Sequence, residues 1–151
     1  DALKAVQAAR FYPNGKRGVC RFVRAAAFGK TPKSVYFDVN NSPLLILQVE
    51  GLEGVENIEA ILAVPGFDVL FVGPYDLSQS IGLPGQVDSP EVLALIERIA
   101  KSASKANKQL GIFCDTPMML SKYKSMGIPY LSYSVDVSVF REALDSIVKG
   151  I

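Results

Sequence analysis

The chain contains no histidine. No imidazole from it can serve as acid, base or metal ligand, which excludes His-type zinc sites and His-activated nucleophiles within these residues. Cysteine is scarce: Cys20 and Cys114 are far apart and match no metal-ligand spacing. They read as reduced core or pocket-wall thiols in a reducing compartment. No apolar run approaches the ~18 to 20 residues of a membrane span. Sixteen basic and fifteen acidic residues leave a net charge of +1, with no basic stripe for nucleic acid and no acidic tail. The first residues, DALKAVQAAR, carry an acid and lack a signal-peptide layout. The expected location is the cytoplasm, with neither membrane nor nucleic acid as partner. An initiator Met is also missing. The chain opens inside a helical pattern, Ala2, Val6 and Ala9, as expected of a segment cut from something longer.

What is present fits an ordinary globular domain. At 151 residues, 49% hydrophobic and 21% charged, the chain is long enough for one domain with a real core. Its organising stretch runs from Leu44 to Gly82. Two apolar runs, Leu44 to Val49 and Val69 to Val72, each lead into a polar turn with one carboxylate, Glu50 and Asp76. Between them Val55, Ile58, Ile61 and Leu62 recur at helical spacing. Strand, helix, strand at this length is a βαβ unit, with parallel strands and a right-handed crossover. Both carboxylates therefore reach the same C-terminal sheet edge, where ligands bind in parallel α/β folds. Gln48 and Glu50 are two apart and share one face of their strand.

The rest of the chain repeats that grammar. Residues 2 to 11 predict a helix stopped by Tyr12-Pro13-Asn14-Gly15. Arg17, Arg21 and Arg24 would share one face if a helix follows, either solvated or turned toward an anion or a subunit. Lys30 to Ser42 reads as loop. A crossover helix is expected over Glu53 to Val64, ended by Pro65-Gly66. Gly73-Pro74-Tyr75-Asp76 is a tight strand-to-loop turn, and Ser80 to Ser89 is a Gly/Pro loop expected as lid or pocket rim. Ser89-Pro90-Glu91 starts a helix reaching about Ala106. Strands are expected at Leu110 to Cys114 and Tyr130 to Val135, and helices from Pro117 to Met126 and from Val137 to Val148. In the last helix Phe140, Leu144 and Ile147 are expected inward. Asp115 and Asp136 read as helix caps. One helix followed by four β/α units could form a small open sheet, and consecutive units of this length also describe half of a (β/α)8 barrel, which as a whole needs about 250 residues.

Taken by themselves Glu50 and Asp76 read either as helix caps or members of surface pairs, or as ligands; as ligands they offer only oxygen, and the cation they suit is hard: Mg²⁺, Mn²⁺ or a similar octahedral ion. Such an ion can hold a 2-oxo acid and stabilise its enolate. Backbone N–H groups at Tyr75 and Asp76 are candidate donors to the substrate carboxylate, and Gly73 permits close approach.

The strings GKRGVCRFVRAA, LQVEGLEGVENIEAILAVPGFDVLFVGPYDLSQSIGLPG, SPEV and YLSYSVDVSVF resemble the HpcH/HpaI aldolase family, metal-dependent class II pyruvate aldolases of the phosphoenolpyruvate/pyruvate superfamily. The resemblance runs from about residue 2 to the C-terminus. It implies strands five to eight of a (β/α)8 barrel, with residues 2 to 11 as the preceding helix and 44 to 151 as four β/α units. It implies that Glu50 and Asp76 bind the divalent cation. Gln48 would line the substrate site and orient substrate or water, which is the catalytic role. Gly73, Tyr75 and Asp76 would bind the pyruvate carboxylate. The implied reaction cleaves a 4-hydroxy-2-oxo acid to pyruvate and an aldehyde, in a homo-oligomer whose last helix is exchanged between neighbours. The family's acid–base His and its oxo-acid-binding Arg belong to early strands outside these residues, and neither Arg17, Arg21 nor Arg24 matches that Arg. Two alternatives stand beside this. One is a catalytically incomplete half-barrel that self-associates as a binding module. The other is a lyase of the citrate lyase β-chain or malyl-CoA lyase type, which shares the Glu/Asp pair.

Overall fold

Four parallel strands organise the molecule. In the computed structural model, which describes residues 1–150, they are β1 (Ile46–Val49), β2 (Val69–Val72), β3 (Gln109–Cys114) and β4 (Tyr130–Tyr133), hydrogen-bonded in the order β1-β2-β3-β4. The register is continuous across the sheet. One row reads Val49, Val72, Ile112 and Leu131; the next row toward the N-terminal end, on the opposite face, reads Gln48, Phe71, Gly111 and Tyr130.

The first of these faces is covered by helices. Val72 and Ile112 are fully buried there, in one core with Val55, Ile58, Ile96 and Ile99. These come from α3 (Leu52–Glu56), α4 (Ile58–Leu62) and α6 (Pro90–Lys105). The other face carries bulkier and more polar groups. Phe71 and Tyr130 meet edge-on at 5.8 Å across Gly111, where a Cβ would lie 2.5 Å from the Tyr130 ring. That glycine lets two large rings share one layer of the face on which Gln48 stands.

Strand and helix starts follow the sequence pattern closely. α6 opens at Pro90 with the Ser89 hydroxyl accepting from Val92 N at 3.3 Å. The helix expected over residues 2 to 11 is α1 (Ala2–Ala9).

Four expectations need correction. Lys30 to Ser42 is not a loop throughout: Lys33–Asn41 forms α2, and Tyr36 on it packs with Phe11 and Ala26 in a small second core. The breakers at Asn40 to Pro43 mark only its end. The crossover helix is two short helices, interrupted at Asn57, whose side-chain amide donates back to Glu53 O at 2.8 Å. Such back-bonding competes with regular helix geometry. Residues 16–23 are not helical, so the three arginines share no helix face. Arg17 instead donates to Asn40 O and lies 4.7 Å over the Phe11 ring, while Arg21 holds Gly29 O and Thr31 O. They serve as ties for an irregular segment.

The fourth correction concerns α8 (Asp136–Lys149). None of its residues is buried, and Phe140 and Ile147 are 67% and 60% exposed. The amphipathic period is real, but β4 is the last strand and nothing among the described residues covers the apolar stripe of α8.

Cysteine reactivity tests this burial pattern. Cys114, at the end of β3, is buried, and its thiol is pushed up by burial and then by the Asp115 charge. Cys20 is exposed. The thiolate is the reactive form, so a disulfide reagent is expected to label one thiol promptly and the second only as the chain unfolds in denaturant. Two thiols reacting at the same rate in buffer would contradict the placement of β3 in the core.

Candidate metal and oxo-acid site

Glu50 leaves β1 one residue past Val49, and Gly73 leaves β2 one residue past Val72, its register partner. The Gly73 N–H donates to Val49 O at 3.1 Å, so the two chain ends stay paired up to the edge. Gln48 and Glu50 stand on one face, as their spacing predicts, and the Gln48 amide donates to Glu50 Oε2 at 2.5 Å. A Cβ on Gly73 would lie 2.9 Å from Glu50 Cβ and 3.0 Å from both Gln48 Nε2 and Glu50 Oε2. Gly73 thus clears space directly beside the carboxylate. Any larger residue would fill it.

Asp76 reaches the same edge by a different route. Gly73 is the N-cap of α5 (Pro74–Ser80), and Pro74 takes the first helical position, where a missing N–H costs nothing. Leu77 N is the first to close a turn, onto Gly73 O at 3.0 Å. The N–H groups of Tyr75 and Asp76 therefore have no carbonyl within the helix. Asp76 lies in this first turn and is exposed, and among the described residues it forms no ion pair. Glu50 likewise has no cationic neighbour within bridging distance.

Two exposed, unpaired carboxylates suit a hard dication that keeps open positions for water and substrate. The Gln48 bond orients one oxygen of Glu50 in the manner of an outer-shell partner, and the cradle at Gly73 gives room beside it. Among the described residues no cluster of three or more Asp, Glu or Cys is gathered tightly enough to enclose an ion. The donor set fits a cation held from one side. A groove of about 640 Å³ runs along β1 past Gln48, Glu50, Glu53 and Asn57. Asp76 and Tyr75 lie outside it, on the β2 side of Glu50.

The Ser80 to Ser89 loop is hydrogen-bonded to α5. The buried Ser78 hydroxyl donates to Tyr75 O at 2.6 Å and accepts from Gly85 N at 2.9 Å, while Leu83 N donates to Ser78 O. These bonds tie the loop to α5.

Sequence reasoning missed a third carboxylate. Asp115 does not cap α7 (Pro117–Ser125); Thr116 does, its hydroxyl accepting from Met119 N at 3.2 Å. Asp115 instead accepts a hydrogen bond from the Tyr75 hydroxyl, joining the end of β3 to the start of α5. That bond, then burial, then the charge of Asp115 raise the Tyr75 pKa above the ordinary phenol value. Asp136 sits in the first turn of α8 and accepts from Val137 N at 2.8 Å, an acid at a helix start but not the N-cap.

The class defined by this geometry is a parallel α/β scaffold with oxygen donors at its C-terminal edge, the arrangement of (β/α)8 barrel enzymes. Comparison with known proteins agrees. The family model for HpcH/HpaI aldolase/citrate lyase matches residues 1–143. The chain is 38% identical over 147 residues to a 2-keto-3-deoxy-L-rhamnonate aldolase of Salmonella paratyphi B, covering 97% of this chain and 55% of that protein. An HpcH/HpaI aldolase/citrate lyase family protein from Burkholderia cenocepacia J2315 superimposes with a TM-score of 0.92 at 35% identity, over 99% of this chain and 59% of the other. An HpcH/HpaI aldolase from Desulfitobacterium hafniense DCB-2 gives 0.81 at 26% identity, over 96% and 56%. This chain belongs to the HpcH/HpaI aldolase/citrate lyase family. It spans about half the length of the curated relatives it matches.

Proposed function

We propose that residues 1–151 are one partial-barrel domain carrying the metal-holding and carboxylate-holding half of a class II pyruvate aldolase centre. The reaction is cleavage of a 4-hydroxy-2-oxo acid to pyruvate and an aldehyde. The observation that carries this reading is the cradle at Gly73, where unpaired Glu50, its partner Gln48 and the start of α5 converge.

In this reading Glu50 and Asp76 hold one divalent cation, Mg²⁺ or Mn²⁺, between neighbouring strand ends. When bound, that cation supplies Lewis acidity toward the 2-oxo group and toward the enolate that C–C cleavage releases. Gln48 holds Glu50 in its rotamer and presents its remaining amide capacity to substrate or water. The N–H groups of Tyr75 and Asp76 take the pyruvate carboxylate, with the positive end of α5 behind them. Gly73 keeps the backbone close to that carboxylate. No imidazole of this chain can take the proton of the substrate hydroxyl, since it has no His.

Self-association belongs to the same proposal. β1 and β4 are sheet edges, and α8 exposes an apolar stripe. Unpaired parallel edges and an uncovered helix favour a homo-oligomer over a monomer. The alternative of a self-completing half-barrel module draws on the same surfaces.

Titration of the chain with pyruvate, with and without Mn²⁺, tests the reading by calorimetry. Saturable pyruvate binding that requires Mn²⁺ is expected. Pyruvate binding that is absent in Mn²⁺-loaded, folded chain would overturn the carboxylate-holding role of the α5 turn.

A further inference from the structure

A groove of about 740 Å³ lies between the second half of α6 and the end of α7. α6 leads into β3 and α7 leads into β4. The groove therefore opens at the N-terminal end of the strands, opposite the edge that carries Glu50 and Asp76. No residue of β1, β4 or α8 lines it, so the sheet edges and the bare stripe of α8 play no part in its shape.

Its polar lining is mostly lysine and serine. Lys101, Ser104 and Lys105 come from α6, and Lys122 and Ser125 from α7. The one carboxylate in the lining, Glu97, is paired with Lys101 at 3.7 Å. Lys105 and Lys122 form no ion pair among the described residues. Two ammonium groups, one from each wall, are thus uncompensated. The neighbouring sequence does not offset them: between Arg98 and Lys124 the only acid is Asp115, which follows β3 at the opposite edge. A lysine in the last turn of a helix also complements that helix's dipole. This accounts for Lys105 and Lys122 singly, but not for Lys101 or for the groove they share.

The donor chemistry narrows the ligand. A planar carboxylate is matched by the fork of an Arg, and no Arg lines this groove. Lysine is a point charge with three donors on a flexible stem. It suits an anion that accepts single bonds from several directions, as phosphate does. Cations on two walls call for more than one phosphoryl group. We propose that the α6–α7 groove binds a linear phosphate chain, held by Lys105 on one wall and Lys122 on the other, with Lys101 and the Ser104 hydroxyl as further donors. Free polyphosphate and the tail of a nucleotide present this same chemistry. The volume is that of a small-ligand site. The lysines are exposed, so the attraction is screened by salt. This site stands apart from the aldolase reading and does not depend on it.

The test is calorimetric titration of the full chain with sodium tripolyphosphate, in metal-free buffer so that no dication sequesters the probe. Saturable one-site binding is expected, weakening several-fold as ionic strength rises. Orthophosphate, with a single phosphoryl group, is expected to bind more weakly by about tenfold or more. Lys105→Gln and Lys122→Gln are each expected to weaken tripolyphosphate by about tenfold, the worth of one charge-assisted hydrogen bond. Lys124→Gln removes the same charge from α7 outside the groove and is expected to leave binding unchanged. All three side chains are exposed, so each variant should melt with wild type, and a lost site is then not a lost fold. A loss in Lys124→Gln equal to that in the groove variants would overturn the proposal in favour of diffuse charge. So would equal affinities for tripolyphosphate and orthophosphate, or no saturable binding by folded wild type. ATP separates the two sources: affinity at least equal to that of tripolyphosphate supports a nucleotide tail, and much weaker binding supports the free chain.

Discussion

Glu50→Gln and Asp76→Asn are each expected to lower the affinity of the folded chain for Mn²⁺ by about a hundredfold or more. The two substitutions are isosteric and remove one negative charge apiece. At an effective dielectric near 20, a unit charge about 4 Å from a dication is worth about 8 kcal/mol. Both carboxylates are exposed, so solvent screening returns much of that, and a hundredfold loss, about 2.7 kcal/mol, is a conservative remainder. Gln48→Ala should cost less, about ten- to a hundredfold, because it removes an orienting partner and not a ligand. Glu53→Gln is the control: Glu53 lines the same groove but sits in the first turn of α3, and its substitution should leave the titration unchanged. Calorimetric one-site binding by all four variants checks the set. Wild-type affinity in Glu50→Gln would remove the pair from the proposal, and a loss in Glu53→Gln equal to that in Glu50→Gln would mean that diffuse negative charge, not a site, attracts the ion.

The parts of this site legible in the sequence share one property: each is carried by local pattern. Glu50 and Asp76 can be assigned to one edge because two apolar runs with a helical stretch between them admit only a parallel pairing. Gly73 stands out because glycine just past a strand end marks close approach. The Tyr75–Asp115 bond spans forty residues of sequence, and no periodicity or spacing announces it. Its one available signal is negative: Thr116-Pro117 already supplies a cap and a first helical residue, which leaves Asp115 free for another role. The fate of α8 is illegible for a different reason. Hydrophobic period reports which face of a helix is apolar, but not whether anything covers that face. Phe140 and Ile147 obey the period and remain exposed. α2 is hidden because its end carries four consecutive breaker residues, Asn40 to Pro43, which outweigh the aromatic pair Tyr36 and Phe37 that anchors it.

Arg10 holds the fold together in a way that local pattern conceals, and Arg10→Ala is expected to cost about 3 kcal/mol. It follows α1 directly, where a basic residue at a helix end would ordinarily pass as solvated. Instead it is 9% exposed. Its Nη1 donates to Asn41 O at 2.8 Å and to Pro43 O at 2.9 Å, and its Nη2 to Gly66 O at 3.1 Å and Asp68 Oδ2 at 3.5 Å. One planar guanidinium therefore ties the end of α1 to the end of α2, to the entry into β1 and to the turn before β2. Asp68 extends the clasp, since the same oxygen accepts from Leu45 N at 2.7 Å. Truncation leaves three carbonyls without their donor, at about 1 to 3 kcal/mol for each that water fails to reach. The groove lined by Asn41, Pro43 and Asp68 admits some water, which holds the sum near 3. For a chain of this length that corresponds to a melting temperature lower by roughly 6 to 12 °C. Arg10→Lys should recover only part of the loss, because an ammonium cannot reproduce a fork with two separated arms. Asp68→Asn should cost less than either, since Asp68 is half exposed and its contact with Arg10 is long. Thermal and denaturant unfolding of the three variants would read this order. A melting temperature unchanged in Arg10→Ala would mean that the N-terminal helix docks without the clasp, held by Val6 and the Phe11 cluster alone.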